Sequence, residues 1–169
     1  DGDVYTFTVE AAVTVRITGL RRDSATIEGR GTAKNPYLIK NASQLKAFTD
    51  SINDGAEKYR SAYVRLDADL DLRGVTLDPI GGVQTYFQGT FDGAGHTVSN
   101  FRLSTESGAV GFFGYIAEGV IRDLHLVSDL TVEASAENTN YIIGTVVAYS
   151  ISGDVIGCSF DGSLRVKFS

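Results

Sequence analysis

The chain has 169 residues with 15 basic and 21 acidic side chains, a net charge of −6, and no basic run longer than Arg21-Arg22, so neither nucleic acid nor a polyanionic membrane surface suits it as a partner. Its hydrophobic content of 43% and charged content of 21% are those of an ordinary globular domain, and its length fits one domain or one with a short appendage. A single cysteine excludes an intrachain disulfide and a zinc cluster, while 19 glycines against two prolines point to many tight turns rather than disorder.

Residues 3–18, "DVYTFTVEAAVTVRIT", open with strand character, because Val13, Val15 and Ile17 alternate with Thr14 and Arg16. Residues 19–35 are polar and turn-rich and mark the best boundary. "NPYLIKNASQLKAFTDSIND" contains the one convincing helix. Asn41 is placed to cap it, and Gln44 stands three positions on to complete a capping box. Leu45, Phe48 and Ile52 follow at i, i+3 and i+7, so the helix has one apolar face that must lie on something. "SAYVRLDADLDLRG" then alternates as a strand. From Gly81 onward short β-prone runs are separated by glycine turns. The longest apolar run, "YIIGTVVAY", is too short to span a bilayer and is broken by Gly144. With no leader and no initiator Met legible, the chain is expected to be a mature form or a trimmed piece of a longer protein.

Uniform short strands prompt a search for repeats. The spacing apolar-x-x-apolar-x-apolar occurs at Val98, Phe101 and Leu103, again at Ile121, Leu124 and Leu126, and again at Val155, Cys158 and Phe160. The offsets are 23 and then 34 residues. At the second offset "GFFGY" lies over "TVVAY", Tyr115 over Tyr149 and Gly119 over Gly153. Such a pattern predicts stacked coils that share one core, with the polar insert near "SDLTVEASAENTNY" on the surface.

Taken together, "GTAKNPYLIKNASQLKAF", "YVRLDADLDL", "PIGG", "FQGTFDGAGHTVSNFRL" and "GFFGYIAEGVIRDLHL" resemble the GLUG-motif family over roughly residues 29–165. The Gly-apolar-x-Gly signature is carried by Gly111, Phe112, Phe113 and Gly114, and the second copy departs from it with Thr145 and Ala148. The family comprises right-handed parallel β-helix modules of bacterial surface and secreted proteins, some attached to IgA-protease-type metallopeptidases. The resemblance implies a structural or adhesive scaffold without a catalytic set, and a helix near residues 42–53 that caps one end. The expected fold is therefore all-β: a short right-handed parallel β-helix over 29–169 with a capping helix, preceded by an extra N-terminal β segment over 1–28.

Each chemically suggestive residue also has a plain structural reading. Asp92 and His96 in "DGAGH" read as an acid/base or metal pair, or as a glycine turn with Asp92 folded onto backbone N–H groups. Asp67, Asp69 and Asp71 mimic the start of a calcium loop, but Leu72 stands where that loop needs glycine, and alternation alone puts the three carboxylates on one strand face. Asp123, Asp129, Glu133 and Asp154 supply acids for glycoside chemistry without marking a pair. His125, between Leu124 and Leu126, is expected to face outward, and Cys158 to be a small buried hydrophobe. Tyr86, Tyr115, Tyr141 and Tyr149 are the candidate platforms for a glycan, with Tyr115 and Tyr149 also readable as a structural ladder.

The sequence thus predicts a non-enzymatic extracellular or cell-surface module that spaces, displays or adheres. A module binding surface glycans or host extracellular proteins is the alternative, and an accessory part of a carbohydrate-active enzyme or surface protease a further one. No cofactor is expected, calcium at Asp67, Asp69 and Asp71 being the one candidate. Neighbouring domains of a longer chain are the expected partners, with neither nucleic acid nor membrane insertion.

Overall fold

A computed structural model of the chain describes residues 24–104, 108–134 and 140–168. The expected β segment at 1–28 lies outside the described residues as far as residue 23. Residues 24–28 pack onto the body of the fold: Ile27 is buried in the core, and the Glu28 carbonyl accepts from the Leu38 N–H at 2.9 Å.

Strand β1 (Tyr37–Ile39) leads into helix α1 (Ala42–Asn53) and a single turn, α2 (Glu57–Arg60). The Asn41 side chain accepts from the Gln44 N–H at 2.9 Å, as a cap should. Gln44 does not close the box on Asn41, however. Its Oε1 accepts from the Lys40 N–H at 2.7 Å, and its Nε2 donates to the Thr26 carbonyl at 2.6 Å, which ties the helix start to the preceding segment. Leu45, Phe48 and Ile52 are buried as their spacing requires. α2 is too short to carry a helical period and is not legible in the sequence; it buries Tyr59, whose ring lies edge-on to Tyr37 and Phe48.

The next strands are β2 (Tyr63–Leu66), β3 (Leu70–Asp71), β4 (Thr76–Leu77), β5 (Thr90–Asp92), β6 (Thr97–Ser99) and β7 (Arg102–Leu103). They continue as β8 (Ala109–Val110), β9 (Phe113–Ala117), β10 (Val120–Arg122), β11 (His125–Ala134) and β12 (Ile142–Ile143). The last three are β13 (Val147–Ile151), β14 (Asp154–Ile156) and β15 (Ser159–Phe168). All pairings between these strands are parallel. One sheet has the order β1-β2-β5-β10-β14 and a second the order β15-β11-β6-β3, with β8–β12, β9–β13 and β4–β7 as two-stranded pairs. The chain lays a strand on the first sheet, turns a corner, lays one on the second, and returns to the first. Tyr37, Val64, Phe91, Ile121 and Val155 thereby lie in one column, and Leu70, Val98, Leu126 and Phe160 in another.

These columns correct the first repeat offset. Ile121 stands beside Phe91 and Leu126 beside Val98, so Val98 does not correspond to Ile121. The cause is corner length. Between β5 and β6 the corner holds four residues, Gly93 to His96, whereas Asp123-Leu124 and Gly157-Cys158 make the next two corners with two residues each. The second offset holds, with Ile121 beside Val155, Leu126 beside Phe160 and Tyr115 beside Tyr149.

Inward side chains of successive passes form one core. Phe48 reaches Phe87 and Phe91, Phe91 meets Phe113 at 5.3 Å between ring centres, and Phe113 continues through Phe112 to Phe101. Edge-on and tilted rings at these distances add to the hydrophobic term. Position in the stack decides burial: Ile121 is 0% exposed, while its column neighbour Val155, on the last strand of its sheet, is 46% exposed. Cys158 is half-buried for the same reason, against the expectation of a buried residue; partial desolvation raises its thiol pKa.

Candidate functional site

The corner between β5 and β6 answers the Asp92–His96 question by its hydrogen bonds. Ala94 and Gly95 both have positive φ (52° and 77°), and the His96 N–H donates to the Gly93 carbonyl at 2.8 Å, the signs and bond of a type I′ turn. Asp92 Oδ1 accepts from the Ala94 N–H at 2.8 Å, the Asx-turn that its position predicts. Gly93 has no positive φ. It is glycine because a Cβ there would sit 2.4 Å from the Asp123 carbonyl oxygen on the next corner. His96 turns away from Asp92, and its Nδ1 lies 3.0 Å from Asp69 Oδ1.

The calcium reading of Asp67, Asp69 and Asp71 finds no convergence. The three carboxylates do face outward between buried Leu66, Leu70 and Leu72. But the run is not one strand: residues 67–69 form a corner between β2 and β3, and Asp69 and Asp71 go to different partners. Asp69 accepts from the Thr97 N–H and faces His96, and Asp71 accepts from Asn100 Nδ2 and the Arg73 N–H. These bonds hold both carboxyls below their usual range, the Thr97 N–H being the main cause for Asp69 and Asn100 for Asp71. Among the described residues no group of three or more His, Cys, Asp or Glu side chains is arranged to hold a metal ion.

The acids on β11 are spread along the strand. Asp129 and Glu133 are four residues apart on an extended strand, about 13 Å at ~3.3 Å per residue, beyond the ~5–9.5 Å between glycosidase carboxyls. Each is engaged by β15, Asp129 with the Ser163 N–H and hydroxyl, Glu133 with Lys167 at 3.6 Å. His125 faces outward as expected, against the Ser159 hydroxyl and 3.4 Å from Asp161.

Of the four tyrosines, Tyr115 and Tyr149 stack on neighbouring strands with ring centres 5.4 Å apart, which is the ladder. Tyr86 lies under the Arg60 guanidinium, 5.4 Å from the ring centre, and Tyr141 is half-buried just before β12. Phe87 pairs in parallel with Ile116, so Tyr86, Tyr115 and Tyr149 stand in one register on successive passes.

A different cluster stands on the outer face of the five-stranded sheet. Arg65, Asp92 and Arg122 occupy adjacent strands in one register, and Tyr63 lies two residues before Arg65 on the same face, 41% exposed. With Lys34, Ala33 and Pro36 at its rim, they line a cavity of about 240 Å³. Arg122 Nη2 bonds Asp92 Oδ2 at 2.6 Å, and that bond raises the Arg122 pKa. Asp92 is thus spent on Ala94 and Arg122, while Arg65 and Lys34 are exposed and make no ion pair among the described residues. Nothing in the sequence marks this group, because Lys34, Arg65 and Arg122 meet only once the parallel register is known.

No family model matches the chain, and no solved structure matches it. Over 110 residues, 63% of the chain, it is 34% identical to a protein of Evansella cellulosilytica named as a Gly-rich membrane protein. Over 155 residues, 79% of the chain, it is 29% identical to halomucin of Haloquadratum walsbyi. The chain spans 13% of the length of the first relative and 2% of the second.

Proposed function

We propose that the chain is a non-catalytic extracellular or cell-surface module, built as a short right-handed parallel β-helix, that spaces, displays or adheres. The observation that carries the reading is the in-register parallel column Tyr37, Val64, Phe91, Ile121, Val155. A chain that returns to the same two sheets pass after pass buries its apolar side chiefly against its own neighbouring passes. It makes a rigid body whose outward residues vary freely, which suits a spacer or a display surface. Right-handedness follows from the strong preference of parallel crossover connections. α1, with Leu45, Phe48 and Ile52 buried, serves as the cap at the β1 end. The resemblance to GLUG modules points the same way. So do relatives named as a membrane protein and a halomucin, much longer proteins in which a module of this size is one part.

An epitope inserted in the exposed 83–84 turn of the native gene tests the reading. Labelling of intact cells by antibody supports a surface module, and labelling only after permeabilisation rejects it. A second reading, a module that holds a glycan, is favoured by the Tyr63–Arg65–Arg122 groove. Scattered carboxylates give the carbohydrate-active enzyme reading no comparable support.

A further inference from the structure

We infer that the groove lined by Lys34, Tyr63, Arg65 and Arg122 binds a carboxylated sugar residue, of the uronic-acid type, within an extracellular polysaccharide. The inference deepens the glycan-binding reading and rests on the extracellular one only for the source of its ligand.

Charge gives the first reason. The chain carries a net charge of −6, yet this groove gathers three cations around a single carboxylate. That carboxylate is already occupied on both oxygens, by the Ala94 N–H at 2.8 Å and by Arg122 at 2.6 Å. Arg65, one strand from Asp92 in the same register, is exposed and free of any ion pair among the described residues, as is Lys34 across the groove. The nearest carboxylate in register, Asp92, is taken by the other arginine. An incoming carboxylate meets the planar fork of Arg65, whose geometry matches it bidentately.

The aromatic gives the second reason. Tyr63 is the exposed tyrosine of this sheet face, 41% exposed and two residues from Arg65. A flat ring with a polar tip suits a sugar, whose ring has an apolar face and a hydroxylated edge. Size gives the third. At about 240 Å³ the cavity falls below the roughly 300–1,000 Å³ of drug-sized ligand pockets, so it takes one ring. The neighbouring sugars of a polymer would run along the open sheet face. The structural alternative, a solvated charge ladder that only aligns strands, accounts for Arg122 and Asp92 but leaves Tyr63, Arg65 and Lys34 unused.

The test is calorimetric titration of the full chain with oligogalacturonate, its methyl ester, a heparin oligosaccharide and poly-glutamate. Expected is saturable binding of oligogalacturonate that weakens with added salt and is lost for the methyl ester. Arg65→Gln should weaken it about tenfold or more, the worth of one charge-assisted pair, and Tyr63→Ala should weaken it as well. Both variants change exposed side chains, and an unchanged melting temperature confirms that they fold. Absence of binding overturns the proposal. So does preference for the sulfated oligosaccharide, or poly-glutamate binding that matches oligogalacturonate and ignores Tyr63→Ala, since a bare cation patch would behave that way. Because purified protein is used, failure here is separable from failure of the surface-labelling experiment.

Discussion

Replacing Gly93 by alanine should damage the fold more than replacing Gly95, although the sequence presents the two as interchangeable turn glycines. At Gly95, φ is +77° and no atom lies within 4 Å of where a Cβ would stand. Its cost is the left-handed conformation, about 1–2 kcal/mol, less about 0.4–1 kcal/mol gained by restricting the unfolded chain. Gly95→Ala should therefore cost about 0–1.6 kcal/mol. At Gly93 the added carbon would meet the Asp123 carbonyl oxygen at 2.4 Å and Leu124 Cα at 2.5 Å, both backbone. Neither can swing aside, so the two corners must part by most of an ångström. That stretches the Gly93 N–H bond to the Arg122 carbonyl and the Gly95 N–H bond to the Asp123 carbonyl, each 2.8 Å long. Overpacking of about 1–3 kcal/mol plus two weakened hydrogen bonds of about 0.5–1.5 kcal/mol each gives about 2–6 kcal/mol. For a chain of this size that is roughly 5–15 °C in melting temperature. Urea unfolding followed by circular dichroism measures both variants. If Gly93→Ala costs no more than Gly95→Ala, the corners do not approach as described and the steric argument fails.

Phe113→Ala removes a ring in contact with Phe87, Phe91 and Phe112 and should cost about 3–5 kcal/mol in the same assay; a loss under about 1 kcal/mol would mean that the interior is not packed through this residue. Asn41→Ala removes the cap of α1 and should cost about 1 kcal/mol, whereas Asn41→Asp, which keeps an acceptor, should cost much less. The carboxyls of Asp69 and Asp71 are held low by hydrogen bonds in the folded state. A group depressed on folding stabilises above its unfolded value, near ~3.9 for Asp, and that stability is lost as pH falls through the lower folded value. The urea midpoint should therefore drop as pH falls below about 4, and the drop should shrink in Asp69→Asn and Asp71→Asn. An identical pH profile in all three proteins would show that these bonds carry no folding energy.

Local signals are legible in the sequence and long-range ones are not. The helix, from its Asn41 cap to Ile52, follows from spacing alone because all its determinants lie within one segment. The 34-residue offset is legible because β10 to β11 and β14 to β15 turn with corners of equal length, so Ile121 and Leu126 keep step with Val155 and Phe160. The 23-residue offset misleads because "DGAGH" lengthens the β5–β6 corner, so the same spacing recurs at the two-residue β6–β7 corner, one strand further along the chain. The Tyr63–Arg65–Arg122 groove is invisible for a related reason. Its members belong to different passes of the chain, and each by itself looks like an exposed polar position on an alternating strand. The calcium reading of Asp67, Asp69 and Asp71 meets the opposite difficulty, since acids close in sequence lie on a corner and a strand, with Asp69 and Asp71 held by separate partners.

The central claim, parallel passes stacked in a defined register, is tested most directly by nuclear Overhauser contacts in isotopically labelled full-length chain. The account predicts backbone contacts linking Phe91 to Ile121 and Ile121 to Val155 on one sheet, and Val98 to Leu126 and Leu126 to Phe160 on the other, all in the parallel pattern. Contacts joining Val98 to Ile121, or an antiparallel pattern between β10 and β14, would contradict it.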